Sequence, residues 1–323
     1  MSGHLNRSAF QLTSADVVSQ ARICREHFRL TLSCPNFSEA KPGQFVQLSP
    51  ETVPSQPSHR SDEAATEPID VCDEAVRSTA TPPFLPRAFS IGGLRRNGTD
   101  CEIDIIYRVV GVATQWMATL RPGQSVSLLG PLGQAFPIIA SKPNAYLVGG
   151  GVGVPPLLWL AGALTDAGIN TTAVIGSTTK ELLPLAHQGN PTPADDAAEA
   201  RLTSQEFANA NTPVVISTDD GSFGFKGNVV QAFQAYLSAN NIDPTSAVVY
   251  TCGPERMMQG VAEFCEATDY ECYVCMERSM ACGVGTCQSC VVTVKSETPR
   301  NWRYALCCTE GPIFERSQIL WNQ

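Results

Sequence analysis

The sequence predicts a multi-domain β plus α/β protein: an antiparallel β-barrel, then a doubly wound parallel sheet, then a small C-terminal module. Three observations predict it. Apolar and polar residues alternate in short runs as far as residue 140, apolar runs alternate with helix-length segments over 141–270, and eight of the thirteen cysteines lie at or after Cys265. A chain of 323 residues exceeds one ordinary hydrophobic core and divides into three regions, 1–140, 141–270 and 271–323.

In the first region, Phe28-Arg29-Leu30-Thr31-Leu32 and Phe45-Val46-Gln47-Leu48 have the two-residue period of half-buried strands, with Pro42-Gly43 as a turn between them. Thr52 to Pro83 holds many Pro, Ser, Thr, Asp and Glu and almost no large apolar residues, so it reads as a mobile loop. Alternation resumes at Cys101 to Val110 and at Ser125 to Leu129, the latter ending in a turn over Gly130-Pro131-Leu132-Gly133. Antiparallel strands joined by short turns without a long helix imply a small barrel.

After Pro143 the period changes. Strands are expected at Ala145–Val148, Thr172–Ile175, Pro213–Ser217 and Ala247–Thr251, and helices at Pro155–Ala167, Gly227–Leu237 and Glu255–Ala267. Strands alternating with helices build a doubly wound parallel sheet. The polar stretch from Pro184 to Asn211 reads as an excursion at the sheet edge. Asn144 to Thr165 is uncharged and long enough to cross a bilayer, but its four glycines and two prolines near the middle fit a strand, loop and helix instead.

Composition excludes several classes. With 31 acidic and 22 basic side chains the formal charge is −9, and no Lys or Arg block offers a surface for nucleic acid. Met1 to Phe10 holds no apolar stretch of a secretory signal, so a cytoplasmic protein with reduced thiols is expected. The cysteines then read as ligands or buried thiols.

The most specific motif is Cys282-Gly-Val-Gly-Thr-Cys287-Gln-Ser-Cys290, followed by Cys307 and Cys308. Its C-x4-C-x2-C spacing is the plant-type [2Fe-2S] order, and Gly283 and Gly285 let amides turn toward a negatively charged cluster. A structural zinc site built from paired thiols is the competing reading. The loop Gly149, Gly150, Gly151 and Gly153, between a strand and a helix, suits a pyrophosphate. Cys252-Gly253-Pro254 falls at the carboxyl edge of the same sheet, where a nicotinamide would sit. Arg87-Ala88-Phe89-Ser90 joins a phosphate-pairing fork to a surface for a planar ring. A nicotinamide gives electrons in pairs and an iron–sulfur cluster takes them singly, so a flavin is expected between the two.

These residues, together with Tyr107-Arg-Val-Val-Gly111, Asp219-Asp-Gly-Ser222, Glu277-Arg-Ser-Met-Ala-Cys282 and Cys308-Thr-Glu-Gly-Pro-Ile-Phe314, resemble the electron-transfer subunits of class 1B dihydroorotate dehydrogenases, within the ferredoxin reductase-like superfamily. The resemblance implies an FAD in the barrel, held at Arg87 to Ser90, Ile106, Tyr107, Arg108, Ala113 and Thr114. It implies NAD(H) at the Gly149–Gly153 loop and the Cys252–Pro254 edge, and a [2Fe-2S] cluster on Cys282, Cys287, Cys290 and Cys308. Register to Gly311-Pro312 favours Cys308 over Cys307. It further implies an FMN-containing dihydroorotate dehydrogenase catalytic subunit as partner, in a heterotetramer of two of each, serving pyrimidine (UMP) biosynthesis. A reductase serving another acceptor, such as an oxygenase, shares these modules. Ala88 and Ala113 stand where that family usually has Pro and Gly. After the second strand, Lys180 beside Glu181 without an Arg cluster points to NADH rather than NADPH.

Overall fold

The computed structural model describes residues 10–51, 82–186, 199–202 and 204–321. All but the last two positions of the loop expected over 52–83, and residues 187–198 of the excursion, lie outside them.

The first region is an antiparallel sheet of β1 (Gln11–Arg22), β2 (His27–Ser33), β3 (Phe45–Pro50), β4 (Arg87–Ser90), β5 (Gly93–Asn97), β6 (Asp100–Arg108) and β7 (Ser125–Leu132), in the order β4-β3-β7-β1-β2-β6-β5. It curls into a half-barrel that brings β4 against β6. Along β6 the buried residues Cys101, Ile103 and Ile105 alternate with more exposed neighbours, and they meet Leu30, Leu32, Val46, Leu48 and Leu128 inside. Each such aliphatic side chain contributes roughly 1.5–3 kcal/mol on burial. A short helix, α1 (Val112–Met117), follows β6.

One expected turn is absent. β7 runs through Gly130-Pro131 to Leu132, where a turn was expected. The ladder with β3 shifts register there, from Gln47↔Leu129 to Phe45↔Leu132. Proline cannot donate to a ladder, and the bulge absorbs its missing N–H.

The parallel sheet contains β8 (Asn144–Gly150), β9 (Asn170–Ser177), β10 (Val214–Thr218), β11 (Phe225–Lys226), β12 (Ala247–Cys252) and β13 (Glu271–Cys275). β8 and β12 are buried almost throughout, as strands covered on both faces must be. Helices α2 (Val154–Asp166) and α3 (Gln205–Asn209) cover one face. Helices α4 (Val229–Asn240) and α5 (Glu255–Ala267) cover the other. α4 starts with a capping box in which Asn228 Oδ1 accepts from Gln231 N at 3.0 Å and Gln231 Oε1 accepts from Asn228 N at 3.0 Å. The stretch expected to cross no membrane divides into β8, a turn and α2, and no helix among the described residues is long and apolar enough to span a bilayer.

The described part of the excursion folds back onto the protein. Phe207 of α3 is fully buried, and Glu206 pairs with Arg29 of the half-barrel at 2.9 Å.

The last residues form a hairpin of β14 (Val291–Lys295) and β15 (Trp302–Leu306), then β16 (Ile313–Glu315). β16 pairs antiparallel with β13, giving the order β11-β10-β9-β8-β12-β13-β16. The parallel sheet therefore extends past residue 270: Glu271–Cys275, grouped by sequence with the C-terminal module, is its sixth strand, continuing the apolar run that the sheet core needs. The same end of the chain is tied to the half-barrel, where Gln134 N donates to Gly311 O at 2.7 Å and Gln134 Nε2 to Thr309 O at 2.8 Å.

Candidate electron-transfer site

The three regions meet at a cavity of about 340 Å³, within the ~300–1,000 Å³ usual for cofactor sites. The half-barrel contributes Ala88, Phe89 and Ser90 from β4, Ile106, Tyr107 and Arg108 from β6, and Thr114 from α1. β4 and β6 stand far apart in the strand order, and the curl of the sheet brings them together at the cavity. Tyr107 stacks on Phe28 at 5.9 Å and meets Phe89 edge-on at 6.2 Å, which fixes an aromatic wall. Arg108 Nε donates to Glu26 Oε2 at 2.7 Å, and this guanidinium, as its main cause, holds the Glu26 carboxyl below its usual range.

Gly153 and Cys252 complete the cavity from the parallel sheet. Cys252 is in register with Cys275 of β13, which also lines the space. A hydrogen bond to Cys252, then burial, pushes the Cys275 thiol well above its ordinary pKa, so it stays neutral.

Not every expected residue reaches the cavity. Arg87 is exposed, with Nη1 donating to Leu85 O at 2.9 Å and Pro86 O at 3.1 Å. Ala113 is buried on the inner side of α1. Thr114 lines the cavity, but its hydroxyl is occupied locally, accepting from Val110 N at 2.9 Å and Gly111 N at 3.1 Å. Gly149 and Gly150 lie within β8, where added Cβ atoms would meet Leu157 and Gly176, and a Cβ at Gly153 would overlap the Cys252 carbonyl. These three glycines serve close packing of β8, α2 and β12. Gly151 has open space above it, as a loop facing a ligand requires. Gly253 and Pro254 form the turn into α5, beside rather than in the cavity wall.

Sequence reasoning missed Met276 and, although it singled out Glu277-Arg-Ser-Met-Ala-Cys282 as a motif, did not place Glu277, Arg278 and Met280 along the cavity, where they run from β13 toward Cys282. Their signal was positional: they follow a strand that continues the parallel sheet, so they stand at the same carboxyl edge as Cys252. Burial raises the Glu277 carboxyl above its ordinary range. Arg278 is clamped to Glu255 by bonds of 2.9 and 3.2 Å.

Beyond Met280 the chain wraps into the cysteine loop. Gly283 and Gly285 adopt φ of 71° and 85°, in the left-handed region that their lack of a Cβ permits. This winding turns amides onto sulfur: Cys282 Sγ accepts from Val284 N at 3.5 Å and Cys287 N at 3.4 Å, and Cys290 Sγ accepts from Cys308 N at 3.4 Å. Cys287 is exposed, and the Ser289 hydroxyl at 3.2 Å is the main reason its thiol falls to about 6. The free Cys308 thiol is hydrogen-bonded with Cys290 and lies near Cys282, and burial raises it to about 12. Cys307 turns the other way, donating to Met276 O at 3.4 Å. The thiols thus stand as Cys282 with Cys287 and Cys290 with Cys308. Among the described residues no three metal-binding side chains surround a single ion. Two thiol pairs with inward amides suit a two-iron cluster, which takes two thiolates on each iron.

The fold agrees with known structures. The chain superposes on the NADH-dependent reduced ferredoxin-NADP oxidoreductase with TM-score 0.69 and 24% identity, covering 95% of this chain and 90% of that one. Residues 277–320 match the iron-sulfur cluster binding domain of dihydroorotate dehydrogenase B. Fold and site define a protein of ferredoxin reductase-like architecture carrying an iron–sulfur cluster binding domain. That match decides between iron–sulfur and the zinc alternative.

The electron transfer subunit of dihydroorotate dehydrogenase B (NAD(+)) from Geobacillus kaustophilus strain HTA426 is 33% identical over 308 residues, covering 94% of this chain and 96% of its own length. That from Geobacillus sp. strain WCH70 is 34% identical over 241 residues, 74% of this chain and 81% of its own. The chain belongs to the family of dihydroorotate dehydrogenase B electron transfer subunits.

Proposed function

We propose that this subunit passes electrons between NAD(H), FAD and a [2Fe-2S] cluster, to or from an FMN-containing catalytic subunit that interconverts dihydroorotate and orotate in pyrimidine biosynthesis. The observation that carries this reading is the single cavity at which β4 and β6, Gly153 with Cys252, and the segment leading to Cys282 converge. FAD supplies the exchange between paired and single electrons. Phe89 and Tyr107 offer it an aromatic wall, and Arg108 offers a cationic fork for phosphate or ring carbonyls. Gly151 and the start of α2 would take the nicotinamide nucleotide's phosphates, with Cys252 behind the ring. Cys275, its thiol held neutral, packs beside Cys252 without adding charge. Cys282, Cys287, Cys290 and Cys308 would hold the cluster, whose negative charge the inward amides offset.

NADH is favoured over NADPH. Lys180, the base near the end of β9, lies over the Phe223 ring at 5.2 Å, and Glu181 stands beside it.

The test is reconstitution with the FMN-bearing subunit, and the two form a heterotetramer of two of each. Dihydroorotate oxidation coupled to NAD(+) reduction is expected to require this chain and to fail with Cys287→Ser. Coupling that proceeds equally well without it would refute the assignment.

A further inference from the structure

Among the described residues Gln47 is a buried amide with no hydrogen-bond partner. It is 1% exposed, and neither Nε2 nor Oε1 has a hydrogen bond. Buried side-chain amides are nearly always paired, so an unpaired one inside a packed interface marks a contact that something other than the chain completes.

Its position says what completes it. On β3, Val46 and Leu48 face the half-barrel core, while Phe45 belongs to the core shared with the cysteine module. Gln47 shares the outward face with Phe45, by the two-residue period of the strand. The bulge that accommodates Pro131 is carried by β7, opposite Val46 and next to Gln47 along the ladder. Gln47 reaches the loop that follows Cys282: a Cβ built on Gly283 would stand 2.9 Å from Gln47 Cγ and 3.0 Å from its Nε2. On β4 its ladder partner is Ala88, which lines the cavity. The amide therefore stands between the flavin wall and the cysteine loop.

We infer that Gln47 is a positioning residue for the iron–sulfur centre, donating from Nε2 to the cluster sulfur held at Cys282–Gly283 and so raising the cluster's reduction potential. Cluster sulfurs only accept, and a donor favours the more negative, reduced state. The amides of Val284 and Cys287 come from the cysteine loop itself, whereas Gln47 comes from the half-barrel. It is thus a polar link between the flavin region and the centre that takes its electrons. This inference rests on the cluster reading given above.

The test is a redox titration of the cofactor-loaded protein followed by electron paramagnetic resonance, for wild type, Gln47→Leu and Gln47→Glu. Leucine keeps the volume and removes the donor. It is expected to retain iron and FAD while the cluster becomes about tenfold harder to reduce, 59 mV for one electron, with altered g-values and an unchanged flavin potential. Glutamate, an acceptor, is expected to lower the potential further. A cluster potential and spectrum unchanged in both variants would overturn the inference. Should the variants lose iron, the wild type decides: with ¹⁵N in the glutamine side-chain amides, hyperfine coupling to the reduced cluster supports the inference and its absence overturns it. Wild-type protein that binds no iron would instead overturn the cluster reading itself.

Discussion

His27 sits on β2 at 1% exposure, its Nδ1 3.2 Å from Cys24 Sγ and its Nε2 without a partner among the described residues. Burial, then the charge of Arg108, lowers its pKa from 6.5 to about 4, while Glu26 opposes them. Between those values the unfolded chain binds a proton that the folded chain does not, so stability falls as pH drops from about 6.5 through about 4. Urea midpoints at pH 7 and pH 5 are expected to show this loss, and His27→Phe to reduce it. An unchanged difference would contradict the assignment of acid sensitivity to His27. The vicinal thiols give a second residue-scale expectation. Cys308→Ser should lose the cluster's visible absorption, whereas Cys307→Ser, whose thiol faces Met276 O, should keep it. The sequence pointed to Cys308 only through its spacing from Gly311-Pro312; the opposite directions of adjacent side chains were not readable, because they depend on how β15 ends.

The parallel sheet was legible at the scale of elements because strands buried on both faces leave continuous apolar runs, and α5 was predicted with its observed bounds, Glu255–Ala267. β13 was grouped with the C-terminal module and not with the sheet, since its assignment depends on pairing with β12. β7 was cut short because Gly130-Pro131 is ordinary turn chemistry, and only the bulge opposite Val46 makes it tolerable within a ladder. The glycine loop was read as a phosphate cradle, yet Gly153 is required by the approach of α2 to the Cys252 carbonyl. Gly153→Ala should therefore lower stability by ~1–3 kcal/mol, as overpacking does. It should also slow flavin reduction by NADH and leave iron content unchanged. Loss of NADH reduction with no loss of stability would show instead that the glycine acts only through the ligand.

The whole molecule is organised around a junction. β16 closes the parallel sheet against β13, Gln134 ties Gly311 and Thr309 to the half-barrel, and Arg29 joins it to α3. These contacts hold the cysteine loop against both other regions. Composition and spacing revealed the three chemistries but not that they share one cavity, because the meeting of β4, β12 and the 276–280 segment exists only in the tertiary fold. The claim on which this arrangement rests is that the C-terminal thiols carry a one-electron centre served by a flavin in the shared cavity. Its most direct test is anaerobic titration of the purified chain with NADH, followed by visible and paramagnetic resonance spectra, with iron, sulfide and FAD counted beforehand. The account predicts two irons, two sulfides and one FAD per chain, with bleaching of the flavin and appearance of a reduced-cluster signal. Protein that binds FAD and is bleached by NADH, yet holds no iron after anaerobic reconstitution, would contradict it.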